Sequence, residues 1–572
     1  MKKLITVVAF TLASYPALAQ GLTPAQKDSD FRYLASLYST YYAPLDWKNQ
    51  LFGFNALNLK PWLDRVAMTT TDLDFYELCV EYVASLNDTH DAFSLPSDFV
   101  ATLGFGVDIY DGVLRIDNLN RTILPSSTYP FTIGDELVSV DGVPVDQLLQ
   151  DFAKYAPQGN RVSNRRMTAQ RITVRPQSRM PHASDLGETA TVLIRRLNDD
   201  LETYIVPWVK TGTPVRVGPV PMPKFFDKQR FATTMLPAQM DYMAELERAR
   251  FSGVLRPEDL GVLGYGVRNP IFVNALSLPA LQFTRRLGGA TTDLIYSGTF
   301  QYEELTIGYI RVPNYAPSSL TTWLQQLEQE IAFMNANTDG LILDEMRNTG
   351  GNLCTGQELV RRLVPYPFHA TGFALRPFWT RVLGFSNSLI AARANNAPPD
   401  VIQQYEQSFN EMLAANQEGR LVTKPLPLCS ASLTRTPATD QAGNVIAYFK
   451  PLVMLIDEFS TSTADSVPSM IQDARRGLLY GKRTNGAGGN NTSFDAGPYS
   501  EGVTGMTLAL QVRSNAIATT DYPVSDVIEN VGVRPDFEAD YMTKDNLLQN
   551  GLPFLNALLQ HTVSVIRNQT SP

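Results

Sequence analysis

A cluster of hydroxyl side chains follows a short apolar segment in the C-terminal half of the chain. The apolar run Leu452–Ile456 is typical of a buried strand. Ser460 to Thr463 come shortly after it, and a helical segment follows. A strand that turns sharply into a helix can expose a hydroxyl beside free backbone N–H groups. These residues therefore predict a nucleophile for acyl transfer, as in a serine hydrolase.

The same residues also allow purely structural roles. Ser460 or Thr461 could act only as a helix N-cap, because Ser and Thr satisfy free N–H groups there. Gly350 and Gly351, which follow a second apolar run, could be plain turn residues. Alternatively, their small size would let backbone amides approach a ligand and donate to a developing oxyanion. Both interpretations stay open on these residues alone.

A general base that works near neutral pH is most often a histidine. The chain has only four, at positions 90, 182, 369 and 561. His90 lies in the word Asp88-Thr89-His90-Asp91, where a helical pattern gives way to short strands. Active sites favour loops and domain boundaries, so His90 is the strongest candidate of the four.

The N-terminus is typical of a secretory signal. Lys2 and Lys3 precede an apolar stretch over residues 4–14, and Ala17-Leu18-Ala19 resembles a cleavage site. The stretch is too short for a membrane anchor, and no later run reaches the roughly 20 apolar residues of a spanning helix. We therefore expect a signal peptide over 1–19, export to the periplasm or the cell exterior, and no membrane insertion.

Composition narrows the function classes further. The formal charge is −9, and removal of Lys2 and Lys3 lowers it by two more. A chain this acidic has no electrostatic footprint for nucleic acid. Its three cysteines, Cys79, Cys354 and Cys429, allow at most one internal disulfide. The preferred interpretation is that all three are simply small buried side chains. Their wide spacing argues against a zinc site.

The pattern of the chain changes several times along its length. Helical spacing of apolar residues predicts a helical region, whereas alternation and turns predict strands. Buried apolar strands between helices then predict a parallel α/β core. The predicted divisions are a helical region over 20–98, an all-β domain over 99–212, a linker or insertion over 213–302, a core over 303–372 and 441–545, a helical insertion over 373–440, and a terminal helix over 546–572.

Several words resemble a known family. The segment Ile133-Gly134-Asp135-Glu136-Leu137-Val138-Ser139-Val140-Asp141-Gly142 resembles a PDZ domain. The blocks 340–351, 453–473, 481–488 and 528–536 together resemble the tail-specific, or C-terminal-processing, serine peptidases in order and spacing. In that family the middle serine of an S-x-S-x-x-[ED] word is the nucleophile, which corresponds to Ser462.

One position departs from the common family pattern. Many members use a lysine base in a T-x-G-K-G word, and Ala487 stands at that lysine position here. Lys482 does not align with it. In a subgroup typified by the tricorn core protease and the chlamydial protease-like activity factor, a histidine of a D-x-H word is the base and a glutamate of an E-x-x-G-V-x-P word orients it. His90 and Glu529 match these words.

The resemblance implies a crotonase-like α/β peptidase core with a PDZ-like domain and an N-terminal helical region. It implies an exported serine endopeptidase with Ser462, His90 and Glu529 as its triad. Backbone N–H groups of Gly351 and Thr463, with Gly350 as a further candidate, would form the oxyanion hole. Proteins or peptides would be the substrates, without metal or organic cofactor, and a homodimer is compatible with the resemblance.

Two alternatives remain. Ala487, together with a kink that Pro468 predicts in the helix after the nucleophile, is compatible with an inactive site. The chain would then be a binding protein for apolar ligands or peptides on the same core. A lipase or esterase ranks last, because the G-x-S-x-G word is missing.

Overall fold

The structure is a computed structural model, and it describes residues 21–216, 241–250 and 264–570. The predicted signal peptide over 1–19 lies outside these residues. Among the residues described, no helix is both long and apolar enough to cross a membrane.

Four helices form the N-terminal region. Thr23 and Thr71 begin two of them with capping boxes, in which a Thr side chain and the residue three positions later satisfy each other's backbone N–H. The helices pack around buried aromatic side chains such as Phe31, Tyr38 and Tyr82. The elements are α1 (Pro24–Tyr41), α2 (Leu45–Phe52), α3 (Lys60–Val66), α4 (Asp72–Ala84) and the short strand β1 (Phe93–Ser94).

The next region is built on an antiparallel sheet. β3, β4, β5, β8 and β9 lie in that order, with β6 paired to β5, and a small sheet of order β10-β2-β7 lies beside them. The elements are β2 (Val100–Thr102), β3 (Phe105–Tyr110), β4 (Val113–Leu119), β5 (Glu136–Val140), β6 (Val143–Pro144), α5 (Val145–Asp151), α6 (Arg161–Thr173), β7 (Val174–Pro176), β8 (Thr189–Arg195), β9 (Leu201–Pro207) and β10 (Val209–Thr211).

The two helices of this region were not predicted, because an all-β domain was expected. The sequence of α6 is polar and lacks an apolar stripe. Its buried Arg166 pairs with Asp108 at 2.6 Å and with Glu458 at 2.7 Å. Ion pairs therefore share the inner face of α6 with the buried Ala169 and Ile172, which weakens the helical periodicity of apolar residues.

The core is a seven-stranded sheet of order β11-β12-β13-β14-β18-β19-β24. The strands from β13 onward are parallel, and β11 and β12 are antiparallel. The elements are α7 (Ala244–Arg250), α8 (Val273–Leu276), β11 (Phe283–Leu287), β12 (Tyr296–Tyr302), β13 (Leu305–Arg311), α9 (Leu320–Asn337), β14 (Gly340–Asp344), α10 (Leu353–Arg361), β15 (Phe368–His369), β16 (Gly372–Leu375), α11 (Trp379–Ala394), α12 (Pro399–Gln417), β17 (Thr434–Arg435), β18 (Leu452–Ile456), α13 (Thr463–Asp473), β19 (Leu478–Gly481), β20 (Asn491–Asp495), β21 (Val503–Thr507), β22 (Ala509–Ile517), β23 (Ser525–Val527), β24 (Phe537–Glu538), α14 (Lys544–Leu548) and α15 (Leu552–Thr570).

Two boundaries differ from the sequence-based division. The core sheet begins within the predicted linker, because β11 and β12 extend it. β11 is an edge strand with exposed Arg285 and Arg286, so its residues do not alternate as a half-buried strand would. The predicted terminal helix is two helices, interrupted where Asn550 and Gly551 both have positive φ.

The cysteines also differ from the preferred interpretation. Cys354, in the first turn of α10, forms a disulfide with Cys429 in the segment after α12, with a Cα–Cα distance of 5.3 Å. Cys79 is buried and unbridged. The chain thus has the one internal disulfide that an odd cysteine count allows, and it fastens the insertion to the core.

Candidate active site

Adjacent parallel strands bring two loops together at their carboxyl ends. β14 is followed by the loop 345–352 and β18 by the loop 457–462, and the two strands pair directly. Loops at the carboxyl ends of neighbouring parallel strands form the usual ligand crevice of an α/β sheet. The Thr461 N–H donates to Asn348 O at 3.0 Å, which joins the two loops.

Of the four hydroxyls in the Ser/Thr cluster, only that of Ser462 lacks a hydrogen-bond partner within the described chain. The others donate to backbone carbonyls. Ser460 Oγ donates to Glu345 O (2.8 Å), Thr461 Oγ1 to Phe459 O (2.9 Å), and Thr463 Oγ1 to Gly351 O (2.7 Å). The structure therefore separates Ser462 from its neighbours chemically.

Ser462 lies at the N-cap of α13, so neither Ser460 nor Thr461 caps this helix. Its backbone is left-handed, with φ 63° and ψ −112°, and its side chain is 0% exposed. A residue other than glycine adopts such a conformation only with backbone strain, and strained residues of this kind are often found at functional sites. The helix runs on through Pro468 to Asp473.

Asp465 holds this turn in place. Its carboxylate accepts the N–H groups of Ser462 at 2.8 Å, Gly486 at 2.8 Å and Ala487 at 3.1 Å. Burial raises the pKa of Asp465 to about 6, although these hydrogen bonds act in the opposite direction. One carboxylate thus ties the nucleophile turn to the loop 484–488.

The glycine turn lies directly against Ser462. A Cβ atom built on Gly350 would lie 2.7 Å from the Ser462 Cβ and 3.0 Å from the Thr463 N, so only glycine fits. The Gly350 N–H already donates to Asn348 Oδ1 at 2.8 Å. By contrast, no acceptor within the described residues takes the N–H of Gly351 or of Thr463. Those two groups remain available to a ligand oxygen.

His90 is buried in the loop after α4 with 6% of its surface exposed. Neither ring nitrogen has a hydrogen-bond partner among the residues that the structure describes. Burial lowers its pKa, and the charge of Lys48 acts in the same direction, whereas Asp88 opposes the shift. The imidazole is therefore neutral at neutral pH, which is the form that can accept a proton. No hydrogen bond joins His90 to Ser462 in the structure.

Glu529 is buried near the same loop, and it pairs with a lysine. Its Oε1 lies 2.5 Å from Lys48 Nζ, and its Oε2 accepts the Gly488 N–H at 2.9 Å. Burial and the charge of Asp88 raise the pKa of Glu529 to about 8, and Lys48 acts in the opposite direction. The structure makes no hydrogen bond between Glu529 and His90. Catalytic hydrogen bonds are often long in ligand-free structures and tighten when substrate binds.

Polar side chains connect the loops that carry these groups. Thr89 Oγ1 donates to Asn485 Oδ1, next to the candidate base. Asn485 Nδ2 donates to Gln158 Oε1 at 2.9 Å and to Ser163 Oγ at 3.2 Å, both in the region of β2–β10. Asn530 Nδ2 donates to Asn87 O at 2.8 Å. The N-terminal region, the β2–β10 region and the core therefore all contribute to one site.

Comparison with known proteins identifies two domains in the chain. Residues 306–539 match the model of peptidase family S41, and residues 100–214 match that of a PDZ domain. The chain has a peptidase family S41 domain. It is a serine-type peptidase, and the predicted α/β core, PDZ domain and N-terminal helical region are confirmed.

Relatives of similar length exist. A protein of Chlamydia trachomatis serovar D is 22% identical over 610 residues, covering 97% of this chain and 95% of its own. A protein of Chlamydia pneumoniae is 22% identical over 631 residues, and the match covers 98% of this chain and 94% of that protein.

Solved structures show the same fold. The crystal structure of mature CPAF is 19% identical with a TM-score of 0.73, covering 96% of this chain and 99% of that one. The structure of mature CPAF complexed with lactacystin is 19% identical with a TM-score of 0.69, and the match covers 95% of this chain and 99% of that one. At these identities, the likeness establishes the fold.

Ala487 stands at the position where many members of the family have a lysine base. Ala487 is fully buried in the loop 484–488 of the S41 domain. Lys482 instead pairs with Glu538 at 3.0 Å and Asp540 at 3.3 Å. Lys482 therefore does not stand in for the missing lysine.

The other histidines have separate surroundings. His182 pairs with Asp185 at 2.8 Å. His369 is exposed on β15, and the ring of His561 packs 4.6 Å from that of Phe537. None of the three belongs to the loops that meet at Ser462.

Sequence reasoning did not identify two further groups of this site. Lys48 was not predicted because a single lysine on an amphipathic helix belongs to no sequence motif that would indicate a functional role. Glu345 is buried with both carboxylate oxygens unpartnered within the described residues, and burial raises its pKa. Across 21–216, 241–250 and 264–570 no group of three His, Cys, Asp or Glu side chains is placed to hold a metal ion.

Proposed function

We propose that this chain is an exported serine endopeptidase that cleaves proteins or peptides through an acyl-enzyme on Ser462. His90 is the general base, and Glu529 orients it. The observation that carries the proposal is the chemical state of two buried side chains. Both the Ser462 hydroxyl and the His90 ring lack partners in the described structure, and the turn at Ser462 carries two N–H groups without acceptors there.

In the proposed reaction His90 transfers a proton during both acylation and deacylation. His90 accepts the Ser462 hydroxyl proton as Oγ attacks the carbonyl carbon of the scissile bond. The N–H groups of Gly351 and Thr463 donate to the resulting oxyanion. The C–N bond then breaks, and His90 returns the proton to the leaving amine. Water, deprotonated by His90, hydrolyses the ester and restores Ser462.

The position of Ser462 supports this chemistry electrostatically. The N-terminus of α13 places the positive end of the helix dipole at the oxyanion. Removal of one oxyanion donor typically costs about 10²–10³-fold in rate. The ionised Glu529 would stabilise the imidazolium that forms on His90.

A covalent probe tests the nucleophile. The purified protein is treated with a fluorophosphonate and the modified peptide is mapped by mass spectrometry. We expect labelling on Ser462, loss of labelling in Ser462→Ala, and retention in the control Ser460→Ala, whose hydroxyl is engaged by Glu345 O. Mature CPAF forms a complex with lactacystin, so lactacystin is expected to compete with the label. A protein that takes no label would instead be the non-catalytic binding protein.

Export is supported by two features. The first 19 residues have the pattern of a secretory signal, and the Cys354–Cys429 disulfide is typical of proteins in oxidising compartments. N-terminal sequencing of protein recovered from outside the cytoplasm tests this. The expected first residue is Gln20, and a start at Met1 would contradict the proposal.

A further inference from the structure

The buried ammonium of Lys48 lies at the centre of the loops around Glu529. Its Nζ donates to Glu529 Oε1 at 2.5 Å, to Asn530 Oδ1 at 2.7 Å and to Asn87 O at 3.1 Å. An ammonium has three N–H donors, so all of them are used. The side chains of Lys48 and Glu529 are both 0% exposed.

Burial of a charged group such as the Lys48 ammonium lowers the free energy of unfolding unless its interactions compensate for the lost hydration. Taking an ammonium out of water is strongly unfavourable, and a buried ion pair is often no more stabilising than apolar residues of the same volume. Lys48 also takes no part in the proton transfers proposed for Ser462 and His90. Its position against Glu529 therefore calls for a role at the carboxylate.

The hydrogen bonds of Glu529 leave acceptor positions for a further donor on that carboxylate. A carboxylate offers about four acceptor positions. Lys48 occupies one on Oε1, and the Gly488 N–H occupies one on Oε2. Two positions remain for the imidazole when substrate draws the site together.

The other charged and titratable groups around Glu529 would not keep it ionised. Asp88 and Asp91 follow α4, and Tyr42 follows α1, where its hydroxyl donates to Asp88 Oδ2 at 2.9 Å. Carboxylates raise the pKa of a neighbouring carboxyl, as burial does, and Asp88 has this effect on Glu529. Lys48 is the cation that opposes them. Arg483 contacts the main-chain carbonyls of the adjacent residues, Asn530 and Val531, and not the carboxylate.

We propose that Lys48 is a positioning residue for the triad, which favours the ionised form of Glu529 and fixes the rotation of its carboxylate without contacting substrate. This rests on the proposed role of Glu529. Because Lys48 lies on α2, the N-terminal helical region becomes part of the catalytic apparatus. The neighbouring Trp47 Nε1 donates to Glu529 O at 2.9 Å and fastens the same helix to the main chain.

The test compares Lys48→Gln with wild type across pH, on a peptide substrate. Glutamine keeps hydrogen-bond donors but removes the charge. We expect kcat at pH 7 to fall at least about tenfold with little change in KM. Burial and Asp88 already raise the pKa of Glu529 to about 8, so each further pKa unit lowers its ionised fraction at pH 7 about tenfold. Raising the pH should recover the rate, so the ascending limb of kcat moves to higher pH. Lys48 also lowers the pKa of His90, so the infrared band of Glu529 described below assigns the shift to the carboxylate.

Two further variants separate positioning from general stability. Lys48→Met in a Glu529→Gln background should be no slower than Glu529→Gln alone, because the proposed role of Lys48 is exerted through the Glu529 carboxylate. Lys27→Met is the matched control, because Lys27 is buried in the same region but pairs with Asp72 at 3.8 Å. It should keep the wild-type pH profile even if it lowers stability.

A readout independent of turnover completes the experiment. The infrared C=O band of protonated Glu529, identified by its absence in Glu529→Gln, should appear at higher pH in Lys48→Gln than in wild type. An unchanged pH profile or band in Lys48→Gln, or additive losses in the double variant, would overturn the inference. Absence of Ser462 labelling in wild type would instead sink the proposed function, and the band would still decide the role of Lys48.

Discussion

The backbone N–H of Ser462 donates to the Asp465 carboxylate at 2.8 Å, and the same carboxylate accepts the N–H groups of Gly486 and Ala487. The nucleophile turn and the loop 484–488 therefore share one acceptor. Within the family pattern, that loop would carry a lysine base. Here its backbone instead supports the strained conformation of Ser462.

Asp465→Asn should destabilise the turn. Asparagine places an N–H₂ group against N–H donors, and leaving a buried donor unsatisfied costs about 1–3 kcal/mol. We expect a lower midpoint of urea unfolding and slower fluorophosphonate labelling. The control is Asp473→Asn at the far end of the same helix, which loses its pairing with Arg513 but should label at the wild-type rate. Equal labelling in both variants would contradict this role for Asp465.

Gly350→Ala should abolish turnover. The added methyl would meet the Ser462 Cβ at 2.7 Å, and φ at Gly350 is +76°. A displacement of about 1 Å at a catalytic group can cost about 10²-fold. Gly443→Ala is the matched control, because φ is +87° there but nothing lies within 4 Å. That control should lose about 1–2 kcal/mol of stability from backbone strain and keep its kcat.

His90 should titrate below its usual range. Burial lowers its pKa below 6.5, so its neutral form persists as the pH falls through 6.5. The NMR titration of the His90 ring in the Ser462→Ala protein, assigned with a His90→Gln variant, measures this directly. We expect a midpoint below 6.5. A midpoint above it would mean that a nearby carboxylate, and not burial, dominates.

Reduction of the Cys354–Cys429 disulfide should lower stability. The bridge closes a segment of 75 residues in sequence separation, and such a bridge typically contributes about 2–4 kcal/mol. Thermal unfolding with and without dithiothreitol checks this. A Cys354→Ala/Cys429→Ala variant should have the lower midpoint already and should not respond to the reductant.

Local patterns explain why part of the site was predictable. The apolar strand Leu452–Ile456, the hydroxyl cluster and the following helix are adjacent in sequence, and so are the strand and glycine turn that end at Gly351. Their contact follows because parallel strands β14 and β18 are neighbours. The single free hydroxyl of Ser462 could not be derived from residue types, since all four hydroxyls look alike.

Long-range polar contacts were beyond sequence reasoning. Lys48 and Glu529 are separated by 481 positions, and nothing in either segment alone indicates the pair. The same holds for Arg166, whose pairing with Asp108 and Glu458 explains the polar helix α6. A buried ion pair weakens the apolar periodicity that predicts helices, so α6 was not predicted, whereas α2 lies in the region predicted as helical.

The central claim is that His90 supplies the base for Ser462. The most direct measurement is kcat/KM of His90→Ala on a peptide substrate, beside wild type and Ser462→Ala. The account predicts that His90→Ala loses at least about 10²-fold, the lower end for general-base catalysis. Turnover by His90→Ala at the wild-type rate would contradict it.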